Sequence, residues 1–438
     1  MKRGSGLLLM CILLFAMAIS TNVVAQVKNE AKITITVWDQ FLEGDPAQSG
    51  SFKAIELMNK KFMEKYPNVT IKRTAMPVEE MTNSFKPALA SGRGPDVAYS
   101  ELGVGFIGPI LKAGYLMDLT KVWKDRGWDD KLFALSKDVP TLAGKTFGVG
   151  NELEFVPVFY NKNLFKKFNL TVPKTMAELE KVCDTFKAAG ITPFAWGAKD
   201  WWWQSNFTTS ILWSFLDKKT IDEGMYRGGS WKLPAVTAAI DTAFVKWAKK
   251  GYYIQNPAAI ASNEINMIFQ QQKAAMHLTG SWDIDYYVKN VKDFEVGAFV
   301  LPSAVAGSKP NTVSFCGSGY IINAKAPAAA VDYVDYLMAS EECARIWIEV
   351  ANKLPPYRKP IANLKVNPFL QETLQVLAGE SAIPGLAMTV PPELMTFLQG
   401  SAARVLTGQM TPAQWTDEFD GHWKKGRAEG LTRETFKF

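Results

Sequence analysis

Three short stretches place tryptophan beside a carboxylate, and their side chains have the clearest chemical potential in the chain. They are Trp38-Asp39, Asp200-Trp201-Trp202-Trp203 and Trp282-Asp283. A flat aromatic face can stack on the C–H face of a sugar ring, while a carboxylate accepts hydrogen bonds from the hydroxyl groups. Each stacked ring contributes on the order of 1 kcal/mol beyond the area that it buries. The pattern therefore predicts a site for a sugar-like ligand.

The 14 tryptophans of the chain divide into ligand and core candidates. We interpret residues 199–206 as a loop, in which three adjacent tryptophans cannot all point inward. Trp202 and Trp282 are therefore predicted to contact ligand, and Trp38 is open to both interpretations. Tyr357-Arg358 is a further loop candidate, although a solvated turn explains it equally well. Helical spacing predicts core positions for Trp247, Trp347, Trp415 and Trp423.

Two carboxylates, Glu152 and Glu154, directly precede a short apolar run that predicts a buried strand. An acidic side chain beside buried structure is costly unless it has a partner. A chain of 438 residues is too long for one ordinary domain, so two lobes are expected. We therefore expect this stretch to cross from one lobe to the other, with Glu154 facing the cleft between them. The same acids, with Asp200 and Asp283, could also provide the acid pair of a glycosidase.

Alternating strand and helix signals open the chain as β-α-β and predict a mostly parallel sheet. Ligands of such sheets lie at the carboxyl ends of the strands. This places on one rim the residues that follow the first and third strands: Trp38, Asp39, Gln40, Ser100 and Glu101.

Two glycine-containing stretches resemble nucleotide motifs only superficially. Gly103-x-Gly105-x-x-Gly108 is followed at once by proline and has no ribose-binding acid at a convincing distance. Gly144-Lys145-Thr146 lacks the first glycine of a phosphate loop and no helix signal follows it. We therefore expect no nucleotide site and no cofactor.

The N-terminal 25 residues are predicted to be a cleaved signal peptide. A basic start precedes an apolar core at 7–19, and Val23-Val24-Ala25 has the small residue of a cleavage site. Export of the mature protein follows. Lipidation at Cys11 is disfavoured, because Met10 stands where a small residue is expected. The formal net charge of +6 is spread along the chain and indicates no nucleic-acid partner.

The remaining cysteines, Cys183, Cys316 and Cys343, do not have the spacing of a metal site. Buried thiols are the favoured interpretation. With only two histidines, His277 and His422, a zinc site or a histidine-dependent triad is disfavoured. We expect no metal.

Several segments, taken in order, resemble the extracellular solute-binding proteins (family 1) of bacterial carbohydrate ABC transporters, which include maltose-binding protein. The segments are ITVWDQF, ALASGRGPDVAYSELG, LKAGYLMDLT, the run VFYNKNLFKKFNLTVPKTMAELEKVCDTFKAAGITPFAWG, QQKAAMHLTGSWDI and GSGYIINAKA. The resemblance covers nearly the whole mature chain. It is not specific for any one sugar.

The resemblance implies an α/β, type II periplasmic-binding-protein-like fold, with a ligand cleft between two lobes joined by hinge strands. Lobe one would comprise 26–153 and 300–345, and lobe two 154–299 and 346–438. The first-strand loop would supply Asp39 and Gln40, the third-strand loop Ser100 and Glu101, and the crossing Glu154. The aromatic platforms would come from Asp200–Trp203 and from Trp282.

The same resemblance implies a monomer without catalytic activity. It would capture a sugar, with an oligosaccharide favoured, and deliver it to the permease subunits of an ABC transporter in the membrane. The protein would be periplasmic, or held near the membrane by its transporter. Two alternatives stay open: a secreted carbohydrate-active enzyme, and the same fold binding a polyol, polyamine or sugar phosphate.

Overall fold

The computed structural model describes residues 31–377 and 381–438. The predicted signal peptide lies outside the described residues. Within the described ranges, no helix combines the length and the apolar composition needed to cross a bilayer.

The strands form two larger sheets and two small ones. Their bounds are β1 Ile33–Asp39, β2 Val69–Ala75, β3 Val97–Glu101, β4 Thr141–Leu142, β5 Lys145–Thr146, β6 Val149–Gly150, β7 Glu154–Val156, β8 Val158–Asn161, β9 Thr192–Phe194, β10 Ala274–Leu278, β11 Val296–Phe299, β12 Asn311–Phe315, β13 Ser318–Ile322 and β14 Ser381–Ile383.

The first sheet has the order β2-β1-β3-β13-β6. Strand β1 pairs in parallel with both β2 and β3, as the β-α-β opening predicts. Strand β13 returns from late in the chain and pairs antiparallel to β3, with Ser318 opposite Glu101. This return brings a late segment of the chain to the rim formed by the ends of β1 and β3.

The second sheet has the order β11-β8-β10-β9, and a three-stranded sheet, the central sheet, has the order β14-β12-β7. Short connections join its strands to both larger sheets, β7 to β8 and β12 to β13. The predicted buried strand is therefore two strands, because Pro157 separates β7 from β8. Strand β7 pairs antiparallel to β12, which places Glu154 opposite Phe315. The crossing stretch thus supplies one strand to the small central sheet and the next to the second sheet.

Helices cover these sheets. Their bounds are α1 Ser49–Lys65, α2 Val78–Ala90, α3 Val104–Lys112, α4 Thr120–Asp125, α5 Trp128–Lys131, α6 Leu135–Asp138, α7 Lys162–Lys167, α8 Met176–Ala188, α9 Trp201–Phe215, α10 Lys218–Arg227, α11 Pro234–Asp241, α12 Trp247–Lys250, α13 Ser262–Gln270, α14 Ile284–Asn290, α15 Ala329–Ala339, α16 Glu341–Ala351, α17 Pro368–Leu377, α18 Pro392–Leu406 and α19 Pro412–Ala428. Short 3₁₀ turns cover Pro257–Ala259, Ser281–Asp283 and Leu386–Met388, and a π-helical turn covers Thr242–Lys246.

The apolar faces pack into three clusters of buried residues within the described ranges, and one of these contains residues of both lobes, such as Leu102 and Phe165. Another cluster joins β1 and β13 to α1, α15 and α16, and includes Ile35, Ile322 and Trp347. Helix α16 therefore packs on the first lobe, and the lobe boundary predicted at 346 falls within this helix. The core prediction for Trp247, Trp347, Trp415 and Trp423 is confirmed, since all four are buried. Cys183, Cys316 and Cys343 are buried free thiols, as predicted.

One polar contact joins the two lobes at the start of α1. The carboxylate of Asp285, on α14, accepts a hydrogen bond from the backbone N–H of Gly50 at 3.1 Å and from the Asn352 amide at 2.9 Å. Lys289 donates to the same carboxylate at 2.7 Å and to the Ser49 hydroxyl at 3.2 Å. An acidic group at a helix N-terminus is favoured by the helix dipole. This contact therefore stabilises the observed position of one lobe against the other.

Candidate functional site

A cavity of about 110 Å³ lies between the rim of the first sheet, the central sheet and the start of α9. Its walls come from both lobes. The lining residues are Gln40, Gln48, Val78, Tyr99, Glu101, Glu152, Glu154, Trp202, Ser205, Asn206, Trp282, Phe315, Ser318, Lys353, Ala387 and Met388. A neighbouring cavity of about 190 Å³ shares Gln40, Val78, Tyr99 and Glu101 with it and extends along α2 and α3.

Two tryptophans form the aromatic wall of the first cavity. Trp202 lies in the first turn of α9, and Trp282 lies in the 3₁₀ turn that follows β10. Their ring centroids are 5.9 Å apart, and the ring planes are inclined by 78°. The buried Nε1–H of Trp282 has no partner among the described residues. The two residues predicted as ligand contacts are thus brought together, with one N–H group free to bond a ligand.

The predicted tryptophan-rich loop is wrong, because helix α9 begins at Trp201. The helix forms because Trp203, Phe207 and Ile211, which are spaced four residues apart, bury one continuous face. Trp203 stacks on His277 with a centroid distance of 4.7 Å. Trp202, one position earlier on the helix, is turned about 100° away, towards the cavity. The side chain of Trp201 lies outside the described part of the structure.

Three carboxylates and one ammonium group form the polar floor of the cavity. Lys353 donates to Glu152 at 2.8 Å, and both side chains are buried. Ser318 donates to Glu101 at 3.1 Å. One oxygen of Glu152 and one of Glu154 are buried without a partner in the described part of the chain. The floor therefore offers acceptor atoms that the protein itself leaves unused.

Burial and mutual repulsion disfavour the ionised forms of these acids. Burial raises the pKa of Glu154 well above its usual range, and the neighbouring Glu152 and Glu101 raise it further. Loss of hydration raises the pKa of Glu101 to about 7. Burial acts to lower the pKa of Lys353, but the neighbouring carboxylates of Glu152, Glu154 and Asp285 together outweigh it and the pKa is raised. Lys353 is therefore charged at neutral pH.

The rim residues predicted at the first strand separate into two groups. Gln40 lines both cavities, whereas Asp39 and Trp38 line neither of them. Asp39 is fully buried, and its two oxygens accept from Arg73 at 2.6 and 2.7 Å. Trp38 is partly buried and lies 6.4 Å from the ring of Phe85. The structure thus uses Asp39 in an internal ion pair and Trp38 in packing.

Of the other predicted rim and loop residues, some line a cavity and some do not. Glu101 lines both cavities, and Ser100 lines the second one. Asp200 lies just before α9, where its carbonyl oxygen accepts from the Gln204 N–H at 3.4 Å. Asp283 is buried, and Thr279 and Asn266 donate to its carboxylate at 2.7 and 2.9 Å. The structure therefore does not bring Asp200 or Asp283 into the lining of either cavity.

Tyr357 and Arg358 lie against the first lobe, away from both cavities. Tyr357 forms an isolated β-bridge with Leu132. The backbone N–H of Arg358 donates to the Lys131 carbonyl at 2.9 Å, and its guanidinium donates to the Asp129 carbonyl at 3.3 Å. These bonds fix the loop to the end of α5 and leave the pair outside the candidate site.

Several lining residues were not predicted as ligand contacts. Ser205 and Asn206 follow Trp202 on α9, and recognition of that helix from its apolar face could have indicated them. Ser318 and Lys353 reach the cavity only through tertiary structure, and no local pattern marks them. Among the described residues, no group of three or more His, Cys, Asp or Glu side chains is placed to hold a metal ion.

The chain is similar in sequence and in fold to several known binding proteins. The chain is 23% identical to an uncharacterised ABC transporter extracellular-binding protein of Pyrococcus horikoshii, over 82% of each chain. It is 25% identical to the maltodextrin-binding protein of Bacillus subtilis, over 81% of each chain. A solved chitin oligosaccharide binding protein superposes with a TM-score of 0.81 at 23% identity, covering 90% of this chain and 99% of the other.

This structural similarity shows that the chain has the two-lobe, type II α/β fold. The family described as bacterial extracellular solute-binding protein matches residues 47–342, which is more than half of the chain. The chain therefore belongs to the bacterial extracellular solute-binding protein family.

Proposed function

We propose that the protein captures a sugar, with an oligosaccharide favoured, in the cleft between its lobes and delivers it to the permease of an ABC transporter. The observation that carries the proposal is the pairing of Trp202 and Trp282 above a floor of carboxylates with unused acceptor atoms. The names of relatives that bind maltodextrin and chitin oligosaccharide support the same ligand class.

Lobe closure explains how capture works. Gln40 and Glu101 belong to the first lobe, while Trp202 and Trp282 belong to the second, and all four line one cavity. A ligand that contacts both groups makes its full set of contacts only when the lobes are together. It therefore shifts the population towards the closed form. The permease would then recognise this form.

We propose the ligand contacts from the residues that line the two cavities. Trp202 and Trp282 would stack on sugar rings, and Gln40, Ser100, Glu101 and Glu154 would bond hydroxyl groups, with Ser205 and Asn206 beside them. No reaction is proposed. Two of the acids that could form a catalytic pair already have partners within the protein. Glu152 accepts a hydrogen bond from Lys353, and Asp283 accepts from Thr279 and Asn266. The protein would act outside the cytoplasm, as a monomer.

The test is a titration of intrinsic tryptophan fluorescence against mono- and oligosaccharides, with product analysis of each mixture. We expect a saturable change with the sugar recovered intact. Cleavage of the sugar would contradict the proposed binding function and would indicate an enzyme. Silence towards every sugar would contradict the proposed ligand class.

Trp282→Ala should weaken sugar binding about tenfold or more. The loss follows from the stacking contribution of roughly 1 kcal/mol together with the apolar area that no longer covers the ring. The affinity is measured by calorimetry, so that loss of the fluorophore does not obscure the result. Phe133→Ala, a change at an exposed aromatic residue outside the cavity, is the control and should bind as the native protein does. Unchanged affinity in Trp282→Ala would show that the sugar binds somewhere other than this cavity.

Gly50→Ala should weaken the lobe contact. A Cβ atom there would lie 2.5 Å from the Asp285 carboxylate of the other lobe and 2.9 Å from the Cα of Ala351, so these groups must move and the contact between the lobes is disturbed. We expect a larger radius of gyration in X-ray scattering without ligand and a several-fold weaker sugar affinity. Gly400→Ala is the matched control, because a Cβ atom at that helical position meets nothing within 4 Å. Identical scattering and affinity in the two variants would show that the contact does not set the lobe position.

A further inference from the structure

The cavity holds more acid than base. Three carboxylates line it, from Glu101, Glu152 and Glu154, and the lining contributes one ammonium group, that of Lys353. Lys353 is already bonded to Glu152 at 2.8 Å. Two further carboxylates therefore face the cavity without a cation of the protein bonded to them. Ionisation of these acids is therefore unfavourable in the empty cavity, and a cation from outside the chain would compensate the charge.

The acceptor atoms in this cluster are unused as well as uncompensated. Oε1 of Glu152 and Oε2 of Glu154 are buried and have no hydrogen-bond partner within the described residues. The exposed fractions of the two residues are 1% and 6%, and both line the cavity. Buried polar atoms are normally bonded, so these two oxygens indicate a donor that comes from outside the chain.

An ammonium group meets this need better than a hydroxyl group. It brings three donors and a positive charge, whereas a hydroxyl brings one donor and no charge. Hydrogen bonds between charged partners are roughly twice as strong as neutral ones. The faces of Trp202 and Trp282, in the same cavity, can also attract a cation.

We propose that the ligand of this cleft is an amino sugar with a free, protonated amine that bonds Glu154 and its neighbouring carboxylates. The inference rests on the proposed function and specifies its ligand. A polyamine carries the same chemical group, but the tryptophan wall and the neutral polar side chains of Gln40, Ser205 and Asn206 fit a ring with hydroxyl groups better.

A pH dependence follows from the same cluster. The charged and titratable groups that act on Glu154 or line its cavity are Glu101, Glu152, Lys353, Tyr99 and Cys316. Burial raises the pKa of Glu154, and the pKa of Glu101 is about 7. Since an ammonium ligand favours ionised carboxylates, its affinity should increase as pH rises from 5 to 7.5, with release of protons on binding. A neutral sugar should not show this increase.

The experiment compares sugars that differ at a single substituent. Glucosamine, N-acetylglucosamine and glucose, and their β-1,4-linked trimers, carry an amine, an acetamide and a hydroxyl group at the same carbon. Calorimetry at pH 5, 6 and 7.5 measures their affinities, with galactosamine, galactose, maltotriose and spermidine as further probes. We expect an amino sugar to bind at least tenfold more tightly than its acetylated and hydroxyl counterparts at pH 7.5.

Glu154→Gln should remove most of this preference for the amine, because it weakens the binding of the amino sugar much more than that of the hydroxyl counterpart. Asp293→Asn, which removes an exposed acid outside the cavity, should leave the preference unchanged. If Glu154→Gln is poorly folded, the pH dependence and proton release of the native protein still decide the question.

The outcomes separate this inference from the proposed function. Tighter binding of a neutral or acetylated sugar than of its amine would overturn the amino-sugar ligand and leave sugar capture intact. Binding of spermidine without any amino sugar would also overturn it, while showing that the cleft recognises amines. Silence towards every sugar and spermidine would overturn both proposals.

Discussion

Arg73→Met is expected to lower the free energy of unfolding by about 3–5 kcal/mol, the range observed when one partner of a buried ion pair is removed. Arg73 donates to both oxygens of Asp39, at 2.6 and 2.7 Å, and Asp39 is fully buried. The guanidinium also donates to the Phe41 carbonyl. Loss of Arg73 leaves the carboxylate with the Phe41 N–H at 3.0 Å as its remaining observed donor.

The loss in Arg73→Met should grow with pH. Burial already raises the pKa of Asp39, with Arg73 opposing it, so removal of Arg73 raises the pKa further. An acid whose pKa is higher in the folded than in the unfolded protein contributes stability at low pH, and this is lost as pH rises through the folded value. Chemical denaturation at pH 4 and at pH 7.5 should therefore show the larger deficit at pH 7.5.

Two further variants test this explanation. Lys72→Met removes an exposed cation from the same strand and should change stability little. Adding Asp39→Asn to Arg73→Met removes the uncompensated acid and should recover part of the loss. A small effect of Arg73→Met, equal to that of Lys72→Met, would mean that Asp39 does not depend on this pair and would return it to the ligand candidates.

Glu154→Gln is expected to raise the free energy of unfolding of the empty protein by about 1–3 kcal/mol near pH 7.5, since an unsatisfied buried polar group costs about that much and a charged one more. Glu154 is buried beside Glu152 and Glu101, and one of its oxygens has no partner within the described residues. A glutamine amide has nearly the same shape, carries no charge and can donate to a neighbouring carboxylate.

The gain should vanish at low pH. Burial raises the pKa of Glu154 in the folded protein, so the native side chain destabilises the fold only as pH rises above the unfolded value of about 4.3. Denaturation curves at pH 4 and pH 7.5 give the two differences, with Asp293→Asn as the control for loss of one acid. A glutamine variant that is less stable at pH 7.5 would mean that the protein itself uses the charge, which contradicts a role for Glu154 in ligand binding.

The sequence predicted those residues of the candidate site whose local context is unusual. Glu154 stood out as an acid directly before an apolar strand, and Trp202 as one of three adjacent tryptophans; both line the cavity. Asp39 had an equally suggestive context beside Trp38. Its partner Arg73, however, lies 34 residues later on the neighbouring strand, in a pairing that only the parallel register of β1 and β2 reveals.

Contacts between distant parts of the chain also explain the other differences between the sequence-based predictions and the structure. Lys353 and Ser318 reach the cavity from segments far along the chain, through the end of α16 and the return of β13. The start of helix α9 was not predicted, because three adjacent tryptophans suggested a loop. The helical signal lay in Trp203, Phe207 and Ile211, which are spaced four residues apart and are all buried. The α/β class followed from the order of strands and helices, and the two-lobe fold from the family resemblance, which rests on several segments taken in order and not on any one side chain.

Capture by lobe closure is best tested by a crystal structure with the sugar that binds most tightly in solution. We expect one ligand enclosed between the lobes, with a ring against Trp202 or Trp282 and a hydrogen bond to Glu154. Gln40 or Glu101 should contact it from the first lobe. A sugar that contacts only one lobe, or that lies at Asp39 or at Tyr357 and Arg358, would contradict capture by lobe closure at this cavity.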